Sequence, residues 1–238
     1  MVLCRKIKHF LEHITTKVHI FHYFCTMINP ELQQYVEREI LPRYDHHDAA
    51  HRRDHVETVI DQSFVIARQL VAQGEDLDVN MVYAIAAYHD TGLCEGREHH
   101  HEVSARIIRQ DEQLRRWFTE DQIEVMADAA EDHRASAKHA PRTTYGRIVA
   151  EADRVIVPET VIMRTIQYGL DHYPTLDREG HYERTVQHLR EKYGYGGYLH
   201  LWFPDSPNAV RLQQLRQIIN DPTQLRDVFD TLFDKLTN

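Results

Sequence analysis

Histidine and aspartate residues recur along this 238-residue chain in an order that suits metal binding. His89 and Asp90 are adjacent, so a neutral ring nitrogen and an anionic oxygen can reach one point in space, as a divalent transition metal requires. Four further residues of these types flank that pair and complete a spaced series, namely His55, His100, His133 and Asp153. The series predicts a metal centre whose ligands come from distant parts of the chain.

Helices must carry these residues, because apolar positions recur every three to four residues and alternating runs are short or absent. This pattern predicts an all-α domain. Side-chain oxygens or a preset φ at Asn29-Pro30, Asp78, Thr119, Asn208 and Asp221-Pro222 are typical of helix starts. We expect helices near residues 30–41, 50–73, 78–90, 98–110, 120–134, 143–156, 158–172, 177–193, 207–219 and 222–236.

The helical phase indicates where three of the candidate ligands point. His89 lies seven residues after Val82, on the same apolar face, and His133 has the same relation to Met126. Asp153 shares a face with Val149. An aspartate buried beside histidines costs free energy unless it is paired or bound to a metal, so this convergence also favours a metal centre.

Five spaced elements, taken together, resemble the HD-domain superfamily of metal-dependent phosphohydrolases from about His47 to Asp153. The first is similar to HxxxHxxxV and the second to AAxxHDxGL. The third is similar to HxExGA, although Ser104 replaces the glycine, and the last two are the later histidine and a closing Ala-Asp. These elements are His51 to Val59, Ala84 to Leu93, His100 to Ala105, Glu131 to Arg134 and Ala150 to Arg154.

This resemblance implies an HD-domain helical bundle with a metal site in its core. It implies that one divalent ion is bound by His55, His89, Asp90 and Asp153, and that Asp90 bridges to a second ion completed by His100 and His133. His89 and Asp90 would be the catalytic pair. Water activated between two ions of manganese, iron, cobalt, nickel or zinc would then hydrolyse a phosphate ester, such as a nucleotide or another small phosphorylated molecule.

Other histidine patterns in the chain could indicate a different ligand set or a different enzyme class, but the residues around them argue against each. Of the three consecutive histidines 99–101, only His100 shares the helical face of Val103 and Ile107. The pair His51 and His55 lacks the glutamate that a metalloprotease needs after the first histidine, because Arg52 occupies that position. The cyclic-dinucleotide-cleaving HD subgroup is also disfavoured, since no DGxGYP sequence follows.

Basic residues near the motifs could bind the phosphate of a substrate. Arg97 precedes the histidine cluster, while Arg134 and Lys138 follow His133, and Arg142 lies a little further on. Arginine offers forked donors that match phosphate oxygens, whereas lysine offers a point charge. The alternative is that these residues form surface salt bridges on an acidic protein.

The net charge of −9 argues against nonspecific nucleic-acid binding, which needs a basic surface. No apolar stretch approaches the roughly 18 residues of a membrane span, so no membrane partner is expected. Three cysteines without CxxC spacing, Cys4, Cys25 and Cys94, indicate no disulfide framework and fit a cytoplasmic location. The aromatic stretch Tyr198 to Phe203 favours a packed cover or a contact in a homo-oligomer over a base-stacking surface.

The domain organisation predicted from these features is a basic leader followed by one domain. Residues 1–26 contain four basic residues but only one acidic residue, and Met27, before the helix-start signal at Asn29, could be the true start. Residues 27–238 are then expected to form a single HD-type helical domain. Its metal motifs would lie within 47–157, with a helical extension over 158–238.

Two other functions share the same ligand pattern. Some HD-fold proteins hold two irons with these six ligands and activate dioxygen, so an oxygenase is one alternative. A noncatalytic module, in which the metal braces the helices and the pocket senses a nucleotide, is the other.

Overall fold

Helices build the protein throughout the part that the computed structural model describes, residues 28–46, 51–134 and 139–237, and no strand occurs within these ranges. The predicted all-α class is therefore confirmed. The described α-helices are α1 (Pro30–Tyr35), α2 (Arg53–Ala72), α3 (Val79–Tyr88), α4 (His100–Gln110), α5 (Glu120–Glu131), α6 (Thr144–Asp153), α7 (Pro158–His172), α8 (Arg178–Tyr193), α9 (Pro207–Asn220) and α10 (Pro222–Thr237). None of the helices in these ranges is both long and apolar enough to cross a membrane.

Most helix starts follow the side-chain signals in the sequence. Asn29 accepts hydrogen bonds from two backbone N–H groups of the first turn of α1. Asp78 accepts from the N–H of Asn80 at the start of α3, and Thr119 and Gln122 form a reciprocal capping box at the start of α5. These caps satisfy N–H groups that have no partner within the helix, so they fix where each helix begins.

The helix predicted over 207–219 begins at Pro207, but Asn208 is not its cap as predicted. Ser206 caps α9 by accepting from the N–H of Ala209, and Pro207 occupies the first turn. The Asn208 side chain is buried and accepts a hydrogen bond from the N–H of Ile156. Its oxygen is therefore used to hold the segment before α7.

The region predicted as one α-helix over 30–41 instead contains three successive helices of different types. After α1, the chain forms a π-helix over Val36–Ile40 and then a 3₁₀-helix over Leu41–His46. Pro42 lacks the N–H that would continue an α-helical hydrogen-bond pattern. Two further 3₁₀-helices, Thr91–Glu95 and Glu112–Arg116, were not predicted from the periodicity.

The described residues form two compact units, which divide between Asp153 and Arg154. In the first unit α3 is central, since every residue from Met81 to Tyr88 is buried and the helix contacts α2, α5 and α6. In the second unit α7 to α10 enclose an apolar core that includes Ile162, Leu215 and Phe229. The leader predicted at residues 1–26 lies outside the described residues.

The aromatic stretch of the second unit has mixed surroundings. Leu199 belongs to the core of that unit and Leu201 packs against it, whereas the Tyr198 side chain is exposed. The contact with another copy of the chain that this stretch suggested remains a prediction.

The turn that follows α3 packs directly against α4 because Gly92 has no side chain. The N–H of Gly92 donates to the buried hydroxyl of Ser104, at 2.9 Å. A Cβ atom on Gly92 would lie 2.0 Å from the carbonyl oxygen of His100 and 2.6 Å from the backbone nitrogen of Ser104. Close approach of backbone to backbone therefore brings the start of α4 to the end of α3.

Replacing Gly92 by alanine is expected to destabilise the protein by about 3 kcal/mol or more, because the clash is with backbone that cannot rotate away. Urea unfolding followed by circular dichroism would measure this loss. Gly180→Ala is the matched control, since the atom nearest to the new Cβ, at 3.2 Å, belongs to the flexible side chain of Leu176. Equal unfolding free energies for the two variants would show that α4 does not need this contact.

Candidate metal centre

All six candidate ligands lie at or next to ends of helices in the first unit. His55 is in the first turn of α2 and His100 is the first residue of α4. Asp153 is the last residue of α6, and the three other ligands follow the ends of α3 and α5 directly or after one residue. The bundle therefore brings five helix termini to one place, and each terminus supplies one or two donors.

The structure collects the six residues into two groups that share one aspartate. In each group the candidate donor atoms lie within 4.8 Å of one another. The first group comprises His55, His89, Asp90 and Asp153, and the second comprises Asp90, His100 and His133.

Asp90 stands between the groups and presents a different oxygen to each. Its Oδ2 lies 3.3 Å from Nε2 of His89 and 3.8 Å from Nε2 of His55. Its Oδ1 lies 3.4 Å from Nε2 of His100 and 3.3 Å from Nε2 of His133. The carboxylate is thus placed as a ligand that two ions could share.

Asp153 completes the first group from the opposite side. Its Oδ1 lies 3.2 Å from Nε2 of His55 and 3.8 Å from Nε2 of His89. The Asp153 side chain is 25% exposed and that of His55 is 17% exposed, whereas that of His89 is fully buried. The side chains of Asp153 and His55 therefore reach solvent in part, although the Nε2 atom of His55 is itself buried.

Backbone carbonyls orient three of the four imidazole rings. Nδ1 of His89 lies 2.8 Å from the carbonyl oxygen three residues earlier, and the corresponding distances are 2.8 Å for His100 and 2.5 Å for His133. A carbonyl oxygen can only accept, so Nδ1 carries a proton in each ring and Nε2 is the atom left to face a metal. A metal-binding histidine is typically held in this way.

The Nε2 atoms of these rings converge on one another. Nε2 of His100 and Nε2 of His133 face each other at 3.1 Å, although both Nδ1 atoms donate to carbonyls. Among the described residues, the buried Nε2 atoms of His55 and His89 form no hydrogen bond of good geometry. Two ring nitrogens in contact, and buried nitrogens without hydrogen bonds, cost free energy unless a cation, either a proton or a metal ion, lies between them.

The charges at the centre are strongly coupled. Burial alone would lower the pKa of His89, but the carboxylates of Asp90 and Asp153 outweigh burial and raise the pKa to about 9. Burial opposes ionisation of Asp90, yet the neighbouring histidines hold the pKa of its carboxyl well below its ordinary value. Burial and the neighbouring His133 lower the pKa of His100. The carboxylates therefore favour a cation beside them, which is a proton on His89 in the metal-free protein and which a divalent transition metal would replace on binding.

Part of the amino-acid sequence also matches a known family. Residues 52–157 match the family model for the HD domain. The chain contains an HD domain. No curated protein and no solved structure matches the chain. The histidine and aspartate groups fit the divalent-metal site of this domain, which is typical of a superfamily of metal-dependent phosphohydrolases.

Within this HD domain, three neighbouring histidines stay outside the donor groups. His99 is mostly exposed, and the ring of His101 lies 5.5 Å from that of His100 without joining the cluster. The ring of His51 lies 5.8 Å from that of His55 and is likewise not among the donors. The placement of these rings agrees with the helical phase that favoured His100.

The predicted phosphate-binding residues have different surroundings. A guanidinium N–H of Arg134 donates to the carbonyl of Glu98 at 2.8 Å, and the charge of Arg134 helps to lower the pKa of His101 after the effect of burial. Arg97 is exposed, and its own carbonyl orients His100. Lys138 lies outside the described residues.

Arg142 does not face the centre. Its guanidinium forms hydrogen bonds to the buried carboxylate of Asp132 at 2.9 Å and to that of Glu131 at 2.8 Å. Neighbouring carboxylates use its donors, as the alternative of salt bridges predicts. Arg142 instead holds the segment that carries His133.

Sequence reasoning missed Tyr44, whose buried hydroxyl contacts the backbone on both sides of His89. Tyr44 and Asp90 are 46 residues apart, and no spacing rule connects them.

Proposed function

We propose that this HD domain hydrolyses a phosphate ester of a small molecule with the aid of two divalent metal ions. The position of Asp90 carries the proposal, since its two oxygens face two separate groups of imidazoles. A carboxylate that is 4% exposed and has four imidazole nitrogens within 3.8 Å is costly to bury without cations.

His55, His89, Asp90 and Asp153 would hold one ion, and Asp90, His100 and His133 the other. Imidazole and carboxylate donors suit manganese, iron, cobalt, nickel or zinc. When bound, such ions lower the pKa of a coordinated water and neutralise the charge that develops on a phosphoryl group.

The substrate would approach the centre past Asp153 and His55. These side chains are part-exposed, whereas that of His89 is fully buried. Arg134, which is fixed to the carbonyl of Glu98, and Arg97 lie close in sequence or in space to His100 and His101. We assign Arg134, Arg97 and Lys138 to the phosphate of the substrate, because their positive charges would offset its negative charge.

The test of the function is anaerobic purification with metal analysis, followed by assays on phosphomonoesters, phosphodiesters and nucleotides. We expect about two transition-metal ions per chain and hydrolysis that requires them. A fully loaded protein that cleaves none of these compounds would contradict the proposal. If that protein also consumed oxygen with an organic substrate, the same centre would serve an oxidation.

Replacing Arg134 by alanine is expected to lower kcat/KM for nitrophenyl phosphate about tenfold while leaving the metal content unchanged. A charge-assisted contact contributes about 1.5 to 3 kcal/mol, and about 1.4 kcal/mol corresponds to a factor of ten. Steady-state kinetics with metal analysis of the same sample would measure both quantities.

Arg109→Ala provides the control for this change. Arg109 lies near the opposite end of α4 from His100 and pairs with Glu124 and Asp128. An unchanged kcat/KM for Arg134→Ala would exclude a phosphate contact. A fall in metal content would assign Arg134 to holding the backbone before His100.

A further inference from the structure

The C-terminal end of α3 is closed by side chains in place of a further helical turn. The last carbonyl oxygens of an α-helix have no partner within the helix. The hydroxyl of Thr91 donates to the carbonyl of Tyr88 at 2.7 Å, and Nδ1 of His89 donates to that of Ala86 at 2.8 Å. In an uninterrupted helix the Ala86 carbonyl would instead accept from the N–H of Asp90.

Tyr44 supplies the hydrogen bonds that this arrangement leaves open. Its hydroxyl donates to the carbonyl of Ala87 at 2.8 Å and accepts from the N–H of Asp90 at 3.3 Å. One oxygen atom thus connects the last turn of α3 to the residue just beyond it. The backbone can then leave the helical path at Asp90, the aspartate that both donor groups share.

The Tyr44 side chain is enclosed by the protein. The residue lies in the 3₁₀-helix Leu41–His46, and its side chain is fully buried. Buried polar groups without partners cost free energy. The Tyr44 hydroxyl and the backbone groups of Ala87 and Asp90 would each lose a hydrogen-bond partner if either side moved. A shift of this turn would move Asp90, and both donor groups depend on Asp90.

We propose that Tyr44 is a positioning residue of the metal centre, whose hydroxyl fixes the turn after α3 and so aims Asp90 between the two donor groups. This role rests on the metal binding proposed above. It contributes to affinity for both ions, since the carboxylate that it positions belongs to both groups.

The test compares Tyr44→Phe with Tyr145→Phe in the full chain. Both changes remove only a hydroxyl, and the Tyr145 hydroxyl also accepts a hydrogen bond from a backbone N–H, that of Asp78 at the opposite end of α3. We expect Tyr44→Phe to weaken the binding of both cobalt ions about tenfold or more, as is typical when a group that orients a ligand is removed. Tyr145→Phe should leave both dissociation constants unchanged.

Two measurements separate positioning from general stability. Calorimetric titration with cobalt gives the affinity at each site, and the cobalt absorption spectrum at saturation reports on the ligand arrangement. We expect both variants to lower the melting temperature of the metal-free protein, while only Tyr44→Phe changes the affinities and the spectrum. Circular dichroism would verify that each metal-free variant keeps its helices.

The possible failures are distinguishable. Wild-type protein that binds no cobalt would overturn the metal centre and this role together. Normal binding by the wild type, with unchanged affinities and spectrum in Tyr44→Phe, would overturn the role of Tyr44 alone. Loss of helix content in metal-free Tyr44→Phe would assign the hydroxyl to folding and would also overturn the positioning role.

Discussion

Replacement of Asp90 by asparagine is expected to remove both metal ions and to lower phosphoester hydrolysis about a thousandfold or more. Asparagine has nearly the same shape, so packing around the 4% exposed side chain should persist. However, one of its two ends becomes an NH₂ group, which cannot bind a cation and would face one of the imidazole pairs. The negative charge that holds both groups together is lost as well.

Metal analysis and steady-state kinetics of the same sample would measure this effect. Asp128→Asn is the control, because Asp128 is a part-buried carboxylate of the same unit that pairs with Arg109 and Arg142. It should retain both ions and full activity. If Asp90→Asn kept two ions with wild-type affinity, Asp90 would not be the shared ligand.

The helical fold could be predicted from the sequence because the periodicity of apolar residues reflects burial directly. For α7 the predicted bounds, 158–172, agree with the structure, since a proline marks the start and an apolar face continues to the end. Predictions failed where hydrogen bonds, which leave no periodicity, decide the local conformation. The π-helix before Leu41 and the 3₁₀-helix Thr91–Glu95 are such places.

The donors of the candidate centre could be predicted because residue type and order are visible in the sequence. The interactions that place them could not. The hydroxyl of Ser104, which departs from the family pattern, accepts a hydrogen bond from the N–H of Gly92. The hydroxyl of Tyr44, from another segment, accepts one from the N–H of Asp90. Each depends on a contact between segments that only the packed bundle creates.

Two arginine residues also show that the sequence does not reveal which partners a side chain contacts. Arg134 and Arg142 both follow His133 closely, and both could bind phosphate on grounds of charge. In the structure, the donors of Arg142 are taken by Asp132 and Glu131, whereas an N–H of Arg134 donates to a backbone carbonyl near His100. Competition between partners, which spacing does not show, separates their roles.

Replacement of His133 by alanine is expected to leave one ion bound and to lower hydrolysis about a hundredfold. The second donor group contains only Asp90, His100 and His133, so removal of one imidazole leaves two protein ligands there. The first group keeps all four of its donors and should retain its ion. Activity should fall because two ions together stabilise the attacking and leaving oxygens in phosphoryl transfer.

Metal stoichiometry and kcat at saturating metal would be measured on His133→Ala and on His99→Ala. His99 is a mostly exposed neighbour of His100 and lies outside both donor groups, so its replacement should change neither quantity. One ion per chain in the fully loaded wild type, unchanged in His133→Ala, would instead indicate a centre built from the first group alone. In that case His100 and His133, whose Nε2 atoms face each other at 3.1 Å, would have to share a proton in place of a metal.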